Sequence, residues 1–459
     1  MTRFARCASV GLALVAGACG SLLEPDNPNN VPAEELRNPR TAPTLLSGIH
    51  ATLARGVNNV VLPIATASDE LDWVGSRDAW RQLEYGNLSD PFNEFTDAAF
   101  PFLGQALWFA DEGIEIMNEH RAAGRLLPSN VDPVLYVRAY LYGAIAYVTV
   151  GDLFDRWAFS DEATPGPPIA PADMRQVYDT AIAYLDRGIV YADSLNAAGL
   201  STVRPWRLAA YALRARAKHA RAVWDMLGPV PDAPASITNG GLVNDAGAVA
   251  DAQAAIAQAL ALSTAGPDWK FQFGYSATSV TGDIGPWVND RSEMRLGDAY
   301  VFASASNKTW DSTRINDPIS GARDPVLDAT ARAFKAAATY PSFTVISTRE
   351  LRLMLAEARL AAGDTASYAV EINALRALNT LPPWNPTAPQ IRADSLLWFE
   401  RQVNLFLQGR RLTDMYRFGI QSAKWQAGSE ALTQPGRMLP ITARECLSNP
   451  LIGTANCRI

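Results

Sequence analysis

Val134-Leu-Tyr-Val-Arg-Ala-Tyr-Leu-Tyr-Gly-Ala-Ile-Ala-Tyr-Val148 sets the pattern from which the fold is read. Val134, Val137, Leu141, Ala144, Ile145 and Val148 recur at spacings of three and four, the period of a helix with one apolar face. The spacing returns between 174 and 190, at Val177, Ala181, Tyr184, Leu185 and Ile189, and again at Leu208, Tyr211, Ala212, Ala215 and His219. Leu351, Met354, Leu355 and Ala358 make a further helix, broken at Ala362-Gly363-Asp364 and followed by Tyr368, Ile372 and Leu375. A long final helix is predicted to carry Leu396, Phe399, Val403, Phe406 and Leu407. Alanine stands at many facing positions, where a small side chain lets two helices approach. The pattern predicts a mostly α protein of degenerate tetratricopeptide-like helical hairpins, units that must stack on neighbours to bury their apolar faces.

Two stretches break the period. From 225 to 345 Gly, Pro, Asp, Asn and Ser become frequent, and helical spacing survives only around Ala248 to Leu262. This reads as a long irregular insert. A second irregular stretch, 69–95, holds Trp73, Trp80, Tyr85 and Phe92. Long loops within a globular chain are uncommon and often functional. Four tryptophans in these stretches are candidate ligand-binding residues: Trp73 with Asp72, Trp80 with Asp78 and Arg81, Trp287 with Asn289 and Asp290, and Trp310 with Asp311. A flat ring stacks on the apolar C–H face of a sugar while polar neighbours bind its hydroxyls. Phe271, Phe273 and Tyr275 alternate like one face of a strand and read as core.

The N-terminus adds a compartment. Arg3 and Arg6 precede a short apolar run that ends in Gly17-Ala18-Cys19, the order of a secretory signal. A cysteine just after the cut is where a bacterial lipoprotein receives its lipid. Residues 1–18 are therefore read as a signal peptide, Cys19 as the lipidation site and 19–45 as a lipidated tether rich in Pro and Asn. The run is shorter than the roughly 20 apolar residues that span a bilayer, and no later segment is read as a span. The rest divides into a helical region at 46–224 containing the aromatic loop 69–95, a ligand-binding insert at 225–345, and a C-terminal helical region with a stapled tail at 346–459. Cys446 and Cys457 are the cysteines left over in an exported chain, which favours a disulfide over two free thiols.

Composition excludes several classes. The 459 residues are 48% hydrophobic and 19% charged, with a formal net charge of -7, so the chain is globular and offers nucleic acid no electrostatic attraction. Walker, dinucleotide, zinc-protease and nucleophile-elbow motifs are absent. Asp26, Asn27 and Asn29 lack the spacing of an EF-hand. Of three histidines, His50, His120 and His219, the last reads as structural and His120 as a helix C-terminal cap. Arg410 and Asp414 have the spacing of an i,i+4 ion pair. Asp69-Glu70 and Asp152/Asp155 are acid pairs, whereas a glycosidase needs two carboxylates facing across a cleft. The expectation is a binding protein, without cofactor or metal, and not an enzyme; a helical-repeat scaffold and a secreted glycan hydrolase are the alternatives.

Several segments resemble one family. They are Arg138 to Phe154, Val177 to Asp186, Leu351 to Asp364 and Glu400-Arg-Gln-Val-Asn-Leu-Phe-Leu-Gln-Gly-Arg-Arg-Leu-Thr-Asp-Met-Tyr-Arg417, with the tail Leu439-Pro-Ile-Thr-Ala-Arg-Glu-Cys-Leu-Ser-Asn-Pro450. In order and spacing they resemble the SusD/RagB family of outer-membrane nutrient-binding lipoproteins over about 130–220 and 345–450. Asn404-Leu405 and Phe154-Asp155 depart from the family pattern, so ligand type is not carried across. The resemblance implies a lipid-anchored, cell-surface protein of the outer membrane. It would bind an oligosaccharide, or a peptide, and pass it to a TonB-dependent transporter partner. Its helical part would pack on the transporter and its irregular part would hold the ligand.

Overall fold

A computed structural model describes residues 33–161, 164–228, 237–453 and 457. Cys19, the expected signal and residues 19–32 of the expected tether lie outside the described residues. The longer helices, in chain order, are α1 (Ala42–Ala67), α2 (Asp78–Glu84), α3 (Glu94–Ala122), α4 (Val134–Leu153), α5 (Arg175–Ala197) and α6 (Arg204–Leu227). They continue as α7 (Ala246–Ala261), α8 (Pro325–Ala337), α9 (Thr348–Ala361), α10 (Thr365–Ala377), α11 (Ala393–Asn404) and α12 (Arg411–Phe418). The strands are β1 (Leu71–Trp73), β2 (Trp157–Ala158), β3 (Pro168–Ile169), β4 (Lys270–Phe273), β5 (Met294–Leu296), β6 (Val301–Ala303), β7 (Trp310–Thr313) and β8 (Phe343–Ser347). The strands form antiparallel pairs, β1 with β5, β2 with β3, β4 with β8 and β6 with β7. The protein is mostly α, as its periodicity predicts.

Successive helices pack on one another: α1 on α3, α3 on α4, α4 on α5, α5 on α6, α6 on α7, and then α7 on α9 and α9 on α10. Helix α4 lies at the centre, against α1, α3, α5 and α6. This corrects the reading of a single apolar face: every α4 residue except Arg138 and Tyr147 is buried. By length and apolarity this helix has the makings of a membrane span, contrary to the reading that no later segment does, but its apolar window is 94% buried in the protein. A helix apolar all round belongs in a core. Small residues make the crowding possible. A Cβ at Gly143 would stand 2.6 Å from Ile114, and one at Gly151 would stand 2.7 Å from the Tyr178 ring.

The C-terminal reading needs a second correction. The long final helix is two helices: α11 stops at Asn404, and a turn through Leu407 (φ 58°) and Gly409 (φ 74°) separates it from α12. The Leu407 N–H donates to the buried Glu70 carboxylate at 2.6 Å, which holds that left-handed turn. The break at Gly363 is as expected, with φ 74° there and Asp364 capping α10 through the Ser367 N–H at 2.9 Å. Among its described residues the insert contains, besides short turns at Asn239–Gly241 and Pro286–Asp290, an α-helix that periodicity did not predict, α8. Its start is written plainly: the Asp324 carboxylate accepts the Leu327 N–H at 2.8 Å, and Pro325 follows.

Buried ion pairs tie the C-terminal helices to the array. Glu357 and Arg417, both fully buried, pair with each other; Glu357 also meets His219 Nε2 at 3.1 Å and Arg401 at 3.5 Å. Asp414 accepts from Arg401 at 2.8 Å and from Arg417 at 2.9 Å, while Arg410 donates to Glu350 at 3.0 Å. The i,i+4 pair expected between Arg410 and Asp414 is therefore not formed, because each has a nearer partner on another element. Burial works to raise the Glu357 carboxyl; Arg417, His219 and Arg401 outweigh it and hold the group well below the carboxylate range. His219 is structural, as read. His120 sits in the last turn of α3 but is fully buried, and burial beside Arg125 pushes its pKa down, so it is not a charged cap. Cys446 and Cys457 are bonded to each other.

Candidate ligand-binding site

The two irregular stretches, more than two hundred residues apart in sequence, are zipped together. β1 pairs with β5 in the register Leu71↔Leu296, Asp72↔Arg295 and Trp73↔Met294. The pairing runs on past the strands: the Val74 N–H donates to the Glu293 carbonyl at 3.0 Å. The Glu293 carboxylate accepts from the Ser76 and Arg77 N–H groups at 2.7 and 3.3 Å, and Lys308 Nζ donates to the Val74 carbonyl at 2.5 Å. Asp69 and Ser292, each just upstream of a paired strand, sit at φ 63° and 52°. Such left-handed backbone costs energy and persists only where the surroundings fix it.

Strand alternation sorts the side chains of β1. Asp72 turns inward, 2% exposed, and pairs with Arg295 at 3.1 Å and Lys424 at 2.5 Å. Burial pushes its carboxyl up, to about 6, against the pull of Lys424. Lys424 also holds Glu84 at 2.9 Å, whose other role is to accept the Trp73 N–H at 3.2 Å. Trp73 faces the other way and is half-buried. Its indole Nε1 is shut off from solvent with no hydrogen-bond partner among the described residues, and the guanidinium of Arg81, which pairs with Asp78, lies 5.4 Å from its ring.

On the other flank, Trp80 stacks on Phe95 with centroids 3.6 Å apart, and Trp287 stands edge-on to both, at 5.4 and 5.1 Å. Trp287 is half-buried and carries Arg291 on its ring at 4.3 Å. Both flanks thus present an indole with a guanidinium beside it.

The four predicted tryptophans do not share one fate. Trp73 and Trp287 keep exposed surface at the junction. Trp80 is 1% exposed and forms the floor beneath Trp287, so it offers no ring face to a ligand and its assignment is corrected to packing. Trp310 is likewise corrected to packing: on β7 and 6% exposed, it lies by α8 with Lys335 Nζ 5.1 Å from its ring. The predicted polar partners also change. Asp72 points away from Trp73, Arg81 serves Trp73, and Asn289 and Asp290 anchor the end of α8 through the Ala338 carbonyl (2.8 Å) and the Thr339 hydroxyl (3.0 Å). Arg291 and Phe95 were missed. Arg291 follows Trp287 across the π-type turn Pro286–Asp290, in a stretch whose sequence carries no helical period to reveal it. As read, Phe273 and Tyr275 are buried and Phe271 is half-buried.

The acid pairs are engaged internally. Asp69 accepts the Ser422 hydroxyl and Glu70 the Leu407 N–H; Asp152 takes the Tyr178 hydroxyl at 2.9 Å, and Asp155 pairs with Arg156 at 3.2 Å.

Comparison with solved structures gives the fold its name. A SusD homologue from Bacteroides thetaiotaomicron superposes with a TM-score of 0.58 at 15% identity, over 92% of this chain and 98% of that one. A SusD superfamily protein from Bacteroides fragilis gives 0.56 at 14%, over 91% and 99%. The chain has a SusD-like fold. A candidate sugar-binding protein from Bacteroides vulgatus is similar as well, at a TM-score of 0.53 and 13% identity over 90% and 97% of the two chains. No family model and no curated relative matches the sequence.

Proposed function

We propose that this SusD-like chain is a nutrient-binding receptor that takes an oligosaccharide at the aromatic junction and does not cut it. The carrying observation is the junction: pairing of β1 with β5 sets Trp73 and Trp287 half-exposed on one structural unit, with Arg81 and Arg291 at their rings. A half-exposed indole beside a guanidinium supplies an apolar face and hydrogen-bond donors together, the chemistry a sugar ring needs. The sugar-binding description of a structural neighbour supports the ligand class. The internal engagement of the acid pairs supports binding without hydrolysis. Export as a lipoprotein lipidated at Cys19, on the outer-membrane surface and beside a TonB-dependent transporter, completes the proposal and rests on the N-terminal sequence and the family resemblance.

The test is calorimetric titration of the purified protein with a panel of oligosaccharides and peptides, followed by chromatography of the recovered ligand. The proposal expects saturable binding of at least one oligosaccharide, recovered intact. Steady cleavage would revive the hydrolase, and binding of nothing in the panel would favour the scaffold. Replacing Cys19 with Ser is expected to release the protein from membranes; retention would contradict lipidation.

A further inference from the structure

A cleft of about 570 Å³ opens between α8, the β4–β8 pair and the turn after α11. Small-molecule sites run from about 300 to 1,000 Å³. None of the four predicted tryptophans lines it, so it is separate from the aromatic junction.

The lining has a definite chemistry. Gln272 and Asn379 bring solvent-facing side-chain amides, while the Asn58 and Asn404 amides are buried and spent on the Asp283 and Ile284 N–H groups and on Arg349 and Glu400, and Phe334, Phe343 and Phe406 supply an apolar floor. The Gln408 Nε2 is used, donating to the Asn404 carbonyl at 2.9 Å, but its Oε1 is shut off from solvent without a partner. A buried acceptor left unpaired is costly, and without exposed surface it lies behind the cleft wall, out of a ligand's reach. The charged lining residues are Asp268, Lys270 and Arg349. Arg349 grips Asp268 with two bonds, at 2.6 and 2.9 Å, which leaves the exposed Lys270 as the cleft's net positive charge. The α8 wall presents Ala329, Thr330, Ala333 and Ala337, all exposed and small, so the space stays open. Three non-glycine residues with left-handed backbone lie in or next to the lining: Leu407 (φ 58°), Ala338 (φ 49°) and Thr380 (φ 56°). Strain of this kind gathers where a ligand is clamped.

We infer that this cleft is a second binding site, for an acidic mono- or disaccharide. Its hydroxyls would meet the Gln272 and Asn379 amides, its ring the apolar floor, and its carboxylate the Lys270 ammonium. The inference stands apart from the junction and does not need the junction to bind anything.

The experiment is calorimetry of the full chain with galacturonic acid and digalacturonic acid, and with galactose as the neutral probe. Saturable binding of an acidic probe is expected. Lys270→Gln should weaken the acidic probe about tenfold, as loss of a charge-assisted bond does, and leave galactose unchanged. Ala333→Trp should abolish binding of both. Trp73→Ala and Trp287→Ala should change nothing here. Circular dichroism checks each variant, and Thr330→Tyr replaces Ala333→Trp if the latter fails to fold. Absence of saturable binding to the parent up to about 10 mM, beyond which affinity is negligible, would overturn the inference. So would binding indifferent to Ala333→Trp, or loss of binding in the junction variants. Equal weakening of both probes by Lys270→Gln would overturn the acidic ligand.

Discussion

The buried ion-pair cluster around Glu357 and the aromatic junction around Trp73 use arginine in opposite ways. In the cluster, Arg417 is fully buried and each acid it meets is shared with another cation. Its geometry is fixed from all sides, and nothing is left over for a ligand. At the junction, Arg81 and Arg291 lie on indole faces, Arg81 pairing with the exposed Asp78, and the buried ion pairs sit one layer beneath, at Asp72, Arg295 and Lys424. The same residue type is scaffold where its charge is answered inside the protein and a candidate binder where it is held at the surface.

The sharpest way to break the contrast is to remove the shared acid of the cluster. Glu357→Ala would leave Arg417, Arg401 and His219 facing one another in the core. Removing one partner of a buried pair costs about 3–5 kcal/mol, and denaturant unfolding is expected to show a loss at the upper end of that range. A loss under about 1 kcal/mol, the size of a surface pair, would show that the cluster is no scaffold. Trp80→Ala should come next, at roughly 3 kcal/mol for a large side chain emptied from a packed site, because Trp80 supports the junction from below. Cys446→Ser with Cys457→Ser should cost about 2–3 kcal/mol in the chain-entropy account of so short a loop, read as a lower unfolding midpoint of the purified protein.

A pH series sharpens the comparison. Glu357 and Asp414 titrate below their ordinary values in the folded chain, so the stability they contribute is present above the unfolded pKa and lost as pH falls through the folded one. Glu70 behaves oppositely: burial raises it to about 7, so its folded form favours the proton and stability falls as pH rises from the ordinary carboxylate range to about 7. Glu70→Gln keeps an acceptor for the Leu407 N–H and should flatten that decline. An unchanged slope in the unfolding midpoint across this window would contradict the role given to Glu70.

What was legible in the sequence follows from the same contrast. Helices show in periodicity, and the mostly α fold with its array of neighbouring helices was readable from Val134, Leu208 and Leu351 onward. The junction was not, because pairing between residues 71–73 and 294–296 leaves no local signal; β1 and β5 are three residues each. The end of α11 was hidden because Phe406 and Leu407 keep the apolar spacing across a turn that Glu70, far away in sequence, stabilises. Trp73 and Trp80 look alike in sequence, each beside acidic neighbours; only the stacking of Phe95 on Trp80 separates them.

The central claim is that Trp73 and Trp287 bind ligand while Trp80 holds the fold. Its direct test is the affinity of Trp73→Ala and Trp287→Ala for an oligosaccharide that the parent binds, measured by calorimetry beside the unfolding midpoint of each variant. The account predicts a loss of about tenfold or more in at least one, the effect of a ring worth roughly 1–3 kcal/mol against ligand, with the midpoint nearly unmoved. Unchanged affinity in both variants would contradict it.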